Sequence, residues 1–223
     1  MSRALRALSS TYVERRSTIA DGGALSGRGK RAAFALFYGP LHFLLVDHIV
    51  RALPETARRV KTILDLGCGT GVAGAAWASN CAGQVDVLGV DRNAWAVGEA
   101  QQTYRAFGAT ARVKHANVAT LRFPKPPIAV VAAFTLNELD ESTRDAMLDR
   151  WLAEERQQIL IVEPLAGFVA RWWNRWRDRF EAAGGRGDEW RIRAELPPIV
   201  AKLDRAAGLD HREITGRSLW RSG

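Results

Sequence analysis

The sequence predicts a doubly wound, mostly parallel α/β sheet of seven strands, preceded by an N-terminal helical extension. Three observations lead to that fold. An apolar run, Val60 to Leu66, feeds a glycine-rich turn, Gly67-Cys68-Gly69-Thr70-Gly71, and the small-residue segment Val72 to Ser79 follows it; this reads as strand, tight loop and helix. The pattern repeats, with Val85 to Asp91 as a second strand and Ala94 to Phe107 as a second helix. Ile128 to Phe134 is apolar throughout, as expected of a strand covered on both faces. Strands and helices that alternate through right-handed crossovers build this layout.

Taken in order, residues 1–58 form the extension, a cap and substrate region, and residues 59–223 form the sheet domain. Within the extension Leu5, Leu8, Tyr12 and Arg16 share one helix face, and Asp21 to Lys30 reads as a Gly/Ser loop. Arg31 to Tyr38 and Leu41 to Leu53 are expected as two helices broken at Gly39-Pro40, because proline has no amide to donate inside a helix. Helices in this position either cover a ligand cleft or complete the core. In the helix after the second strand, Val97, Ala100, Tyr104 and Phe107 align on one face, and Gly108 ends it. Thr110 to His115 is a third strand. Ser142 and Asp145 form a capping box for a helix whose buried face holds Met147, Leu148, Trp151 and Leu152. Gln158 to Glu163 is the fifth strand and Leu165 to Phe180 a helix. Pro197-Pro198 start another helix, which ends at Gly208, and Leu209 to Trp220 supplies the last strand or strands.

The glycine loop suits either a dinucleotide or S-adenosylmethionine, and from Gly69 through Gly71 and Gly74 it even satisfies Gly-x-Gly-x-x-Gly. Asp65 argues for the second ligand. A pyrophosphate rests on amide N–H groups and a helix dipole, and a carboxylate just before the loop would repel it. S-adenosylmethionine has a sulfonium and an ammonium group and no phosphate, so an acid is an asset there. The string Asp65-x-Gly67-x-Gly69-x-Gly71 resembles the first motif of class I S-adenosylmethionine-dependent methyltransferases. That resemblance implies a Rossmann-like methyltransferase sheet, an enzyme, and S-adenosylmethionine as cofactor. The cofactor-binding residues expected are Asp65, Gly67, Cys68, Gly69, Gly71, Asp91, Arg92, Asn117, Val118 and Phe134. Asp91 ends the second strand about 20 residues beyond the loop, where a carboxylate takes ribose hydroxyls; as a bland alternative it stabilises the following helix dipole. Asn117 stands where an acid typically meets the adenine amine, and its carbonyl can still accept from that amine.

Strand four ends in Phe134-Thr135-Leu136-Asn137-Glu138-Leu139, without the Asn/Asp-Pro-Pro-Tyr of enzymes that methylate adenine or glutamine amides. No cysteine triplet for an iron–sulfur cluster occurs, and no metal site is expected. Glu138-Leu139, Glu163-Pro164 and Gly167-Phe168 are similar to a family of methyltransferase-like proteins associated with the small ribosomal subunit, with Leu165 replacing that family's glycine. The family's cysteine-rich part is missing. The resemblance implies methylation of rRNA or a ribosomal component. A small-molecule O- or N-methyltransferase and a non-catalytic ribosome assembly factor are the alternatives. Tyr38, Asn137 and Glu163 are the candidate substrate-binding residues, and no catalytic base is assigned.

The chain has 223 residues and a net charge of +8, which favours a polyanionic partner such as RNA. Arg171, Arg175 and Arg179 fall in line, interleaved with Trp172, Trp173 and Trp176; the tryptophans read as core and the arginines as surface. Arg3, Arg6, Arg15, Arg16, Arg28, Lys30 and Arg31 add charge in the extension. Phe34 to Val50 falls short of the roughly 20 predominantly apolar residues of a bilayer span and contains Pro40, His42, Asp47 and His48, so no membrane is expected. Cys68 lies in the glycine loop and Cys81 stands alone, which fits a reducing cytoplasm rather than a disulfide framework.

Overall fold

The computed structural model describes residue 25 and residues 27–125, 127–165, 170–193 and 195–223; the face of Leu5, Leu8, Tyr12 and Arg16 lies outside the described residues. Seven strands form one sheet: β1 (Thr62–Leu66), β2 (Asp86–Asp91), β3 (Thr110–His115), β4 (Ile128–Ala133), β5 (Gln157–Glu163), β6 (Arg186–Arg193) and β7 (Glu213–Arg221). Their order is β3-β2-β1-β4-β5-β7-β6, with β1 to β5 parallel and β7 antiparallel to both neighbours. The order reverses between β1 and β4, and their carboxyl ends therefore leave a crevice.

Helices α1 (Arg28–Ala52), α2 (Val72–Ser79) and α3 (Ala94–Ala106) accompany one hydrophobic core, and α4 (Glu141–Ala153) and α5 (Trp173–Ala182) the other; α6 (Pro198–Ala206) precedes β7. Strand alternation divides the sheet's residues between them. Ile63, Ala129, Val131 and Leu160 belong to the first core, whereas Leu64, Leu66, Val130 and Ile159 belong to the second.

Four expectations change. The extension is not broken at Gly39-Pro40, since Gly39 is helical at φ −53° and ψ −55°. The preceding turn, Phe34–Tyr38, is a π-helix in which the Gly39 N–H bonds to the Phe34 carbonyl. Widening the turn accommodates a proline that would otherwise crowd the ladder. Although α1 is long and apolar enough to cross a membrane, Leu41, Leu45, Val46, Ile49 and Val50 are buried against the sheet domain. The cap of α4 is Asp140, whose Oδ1 accepts from the Thr143 N–H at 2.8 Å and the Ser142 hydroxyl at 2.7 Å. Asp145 instead receives the Trp176 indole N–H at 2.9 Å. α5 begins at Trp173 rather than Leu165, with Trp172, Trp173, Trp176 and Phe180 buried as core; Phe168 and Val169 lie outside the described residues. β6 falls on Arg186–Arg193, a segment not expected as a strand, where exposed Arg186, Glu189, Arg191 and Arg193 discourage pairing at the sheet edge.

Candidate functional site

The glycine loop follows β1 at the crevice, and Gly67, Gly69 and Gly71 have φ values of +61°, +52° and +80°. A Cβ on Gly67 would lie 2.5 Å from Thr135 Cγ2, and one on Gly71 would lie 3.0 Å from Ala100 Cα. A Cβ on Gly69 would come within 3.3 Å of the Phe34 ring. Each glycine is thus demanded by a different neighbour as well as by its backbone. Thr135 Oγ1 lies 3.0 Å from the Leu66 carbonyl, to which it donates, and so ties the β4 turn to the loop.

The acids at this edge are already engaged. Asp65 is buried, and its Oδ2 accepts from the Gly74 N–H and the Tyr104 hydroxyl, both at 2.8 Å. Burial pushes its carboxyl up to about 7, against those two hydrogen bonds. Asp91 Oδ2 accepts from the Gly69 N–H at 2.9 Å and Oδ1 from the Asn93 N–H at 2.7 Å. A carboxylate has about four acceptor positions, so further donors can still be received. Arg92 extends to Glu138 at 3.3 Å, and burial raises Glu138 to about 7 although Arg92 opposes the shift. The Cys68 thiol is buried and pushed well up by desolvation.

At the end of β3, Asn117 is exposed, and its Oδ1 accepts from the Ala119 N–H at 2.9 Å, capping the short turn Val118–Thr120. Val118 points into the core beside α4.

Phe134 closes β4 at φ +59°, the one left-handed non-glycine among the described residues. A bulky residue held there marks a local constraint, of the kind that collects at ligand sites. Its ring stacks on His42, with centroids 3.9 Å apart and planes at 21°. Phe34 and Tyr38, two turns and one turn before His42 in α1, have ring centroids 6.4 and 6.2 Å from it. Burial pulls the His42 imidazole down to about 4, so it is neutral at physiological pH.

Beneath the β4 turn, Glu163 is fully buried, and its Oε1 accepts from the N–H groups of Leu136 at 3.0 Å and Asn137 at 3.3 Å. The Asn137 side-chain amide donates to Oε2, and Trp172 Nε1 donates to Asn137 Oδ1 at 3.0 Å. Burial raises Glu163 to about 8; Arg217, its register partner on β7, pulls the other way. Of the residues singled out from sequence, the glycines, Asp91 and Phe134 therefore adjoin one crevice, while Asn137 and Glu163 bind each other under it. Phe34, His42, Thr135 and Trp172 escaped the sequence reading. The spacing of 34, 38 and 42 as successive helical turns was a usable signal for the first two, and nothing local marked Thr135.

Backbone cradled where any side chain would collide, with Asp91 keeping acceptor capacity beside it, fits S-adenosylmethionine. Among the described residues no cluster of three His, Cys, Asp or Glu could hold a metal ion. Residues 63–154 match the family of methyltransferase domains. A search of curated proteins found no match. Among solved structures, a candidate O-methyltransferase from Nostoc punctiforme PCC 73102 is 12% identical with a TM-score of 0.60, the match covering 99% of this chain and 72% of that one. N-methyltransferase NodS from Bradyrhizobium japonicum WM9, in complex with S-adenosyl-L-homocysteine, is 12% identical with a TM-score of 0.53, covering 98% of both chains. Magnesium protoporphyrin IX methyltransferase from Synechocystis PCC 6803, with bound S-adenosylmethionine, is 15% identical with a TM-score of 0.51, covering 98% of this chain and 97% of that one. At these identities the likeness concerns the fold. The methyltransferase-domain match covers about two-fifths of the chain, and it falls on the segment that builds the glycine loop, Asp91 and the turn after β4.

Proposed function

We propose that this methyltransferase acts on a small acceptor that enters between α1 and the turn after β4. The supporting observation is the aromatic cover over the loop: the Phe34 ring reaches Gly69, and His42 stacks on Phe134, which favours a narrow site. S-adenosylmethionine, when bound, supplies an electrophilic methyl group on a sulfonium. The backbone of Gly67 to Gly71 receives the donor's amino-acid end, Asp91 its ribose hydroxyls, and Asn117 and Val118 flank its adenine. Arg92 steadies the rim through Glu138. Methyl transfer is an in-line displacement, so holding the acceptor at the right distance and angle supplies most of the acceleration. Tyr38 brings a hydroxyl to the aromatic cluster and can orient the acceptor. Asn137 and Glu163 hold the turn that faces it, through hydrogen bonds that leave neither side chain extended toward the acceptor.

A second reading, methylation of rRNA or a ribosomal component, draws on the net charge of +8 and on the Glu138-Leu139 and Glu163-Pro164 resemblance. Two of its three aligned arginines are engaged within the protein: Arg175 meets Asp145 and Arg179 meets Asp149, each at 2.5 Å. Incubation with radiolabelled donor and either a metabolite extract or purified RNA and ribosomal subunits separates the readings. Label in the small-molecule fraction supports the first. Label confined to RNA, with binding that falls steeply as salt rises, overturns it in favour of the second. Binding of S-adenosylhomocysteine without transfer to any fraction points to a non-catalytic assembly factor.

A further inference from the structure

We propose that the positive charge of the methyl donor is held by the aromatic faces of Phe34, Tyr38 and Phe134, with His42 stacked behind Phe134, rather than by the acid of the glycine motif. This rests on S-adenosylmethionine being the donor. The sequence motif suggests Asp65 as the partner for a cation, but the structure turns that carboxylate inward. Asp65 is 1% exposed, its Oδ2 braces Gly74 and Tyr104, and burial favours its protonated form. The other acids of the edge have different partners: Asp91 takes Gly69 and Asn93 and has its remaining acceptor positions for the ribose hydroxyls, Glu138 pairs with Arg92, and Glu163 holds the β4 turn. What stands next to Gly69 is the Phe34 ring, with Tyr38 one turn along α1 and Phe134 across His42.

Aromatic faces attract a cation through their quadrupole, and the attraction strengthens where water is excluded. His42 fits this role because desolvation keeps it neutral and so adds no competing positive charge. The left-handed backbone at Phe134 acquires a purpose too, since it fixes the ring against His42 instead of continuing the strand direction.

The arrangement has a chemical consequence. In transfer the bond between sulfur and the methyl carbon breaks, its electron pair stays on sulfur, the acceptor's lone pair forms the new bond, and an acceptor proton passes to solvent. The sulfonium becomes a neutral thioether, so a site selective for charge releases product more readily than donor.

Calorimetry with S-adenosylmethionine and S-adenosylhomocysteine on wild type, Phe34→Leu, Phe34→Trp and Tyr38→Leu tests the idea. Leucine keeps the apolar bulk and removes the π face. Phe34→Leu and Tyr38→Leu are each expected to weaken the charged donor by about fivefold and the neutral product by less than about twofold, while Phe34→Trp retains donor affinity. Equal losses for both ligands overturn the proposal and leave the donor assignment standing. If wild type binds neither ligand, the donor assignment falls, and this proposal with it. Should Phe34→Leu fail to fold by circular dichroism, the Tyr38→Leu comparison decides alone, because residual product binding reports an intact site.

Discussion

At Gly67 a single methyl group would enter the Thr135 side chain, while the backbone holds φ at +61°. Gly67→Ala combines a steric clash with a strained dihedral, and a loss of about 2 kcal/mol or more is expected in chemical denaturation, together with loss of S-adenosylhomocysteine binding. Adding Thr135→Ala should restore part of the stability and not all of it, because the dihedral cost stays. Asp91 differs, since its carboxylate both anchors Gly69 and keeps acceptor capacity. Asp91→Ala is expected to weaken S-adenosylhomocysteine about tenfold or more in calorimetry, the scale of a charge-assisted hydrogen bond. A variant with unchanged affinity would remove Asp91 from the ribose role.

Helix α1 meets the α6–β7 connection through one buried acid. Asp204 accepts from the His211 N–H at 2.9 Å and faces the His211 ring at 2.5 Å, and that ring packs against Phe37 of the π-helical turn, with centroids 5.7 Å apart. Asp204→Ala leaves these part-buried donors without their acceptor and should cost about 1 kcal/mol or more in a denaturant melt. Asp204→Asn, which keeps one acceptor oxygen, should cost less. Equal stability of both variants to wild type would mean that the connection is held by apolar contacts such as Ala207 and Ile214. The link between α4 and α5 is of another kind: the half-exposed pairs Arg175–Asp145 and Arg179–Asp149 lie around Trp176, whose indole also binds Asp145. Exposed pairs of this sort contribute up to about 1 kcal/mol each, so the buried Trp176 and Phe180 dominate the contact.

Across the whole molecule, the buried carboxyls of Asp65 and Glu163 are raised to about 7 and about 8, and the half-buried Glu138 to about 7. A folded state that holds its protons more tightly than the unfolded chain loses stability as pH rises from the unfolded pKa values near 4 to the folded ones. Stability from these groups should therefore be fully present below about pH 4 and fall progressively toward pH 8. Asp140 acts in the opposite sense, because its bonds to Thr143 and Ser142 hold it below the ordinary carboxylate range and its contribution is lost on acidification. Thermal melts between pH 5 and 9 are expected to show a declining Tm, and Glu163→Gln should flatten the decline between pH 7 and 8. A Tm that rises across that interval in wild type would show these carboxyls to be ionised in the folded protein.

The glycine spacing, the acid about 20 residues further on, and the apolar runs were sufficient to place β1 to β5, α2, α3 and the crevice, because strand and helix periods and the backbone freedom of glycine are properties of neighbouring residues. The inward turn of Asp65, the continuity of α1 through Gly39-Pro40, the shift of the α4 cap to Asp140, and β6 were decided only by tertiary contacts. Asp65 points away from the crevice because Gly74 and Tyr104 supply donors there, nine and thirty-nine residues away in the chain. The charged segment Arg186–Arg193 becomes a strand because β7 presents an open edge to it, with Trp190 Nε1 bonded to Ser218 at 2.8 Å. Which way a side chain faces, and whether an edge is there to be paired, depend on partners distant in sequence, and those exist only once the chain has folded.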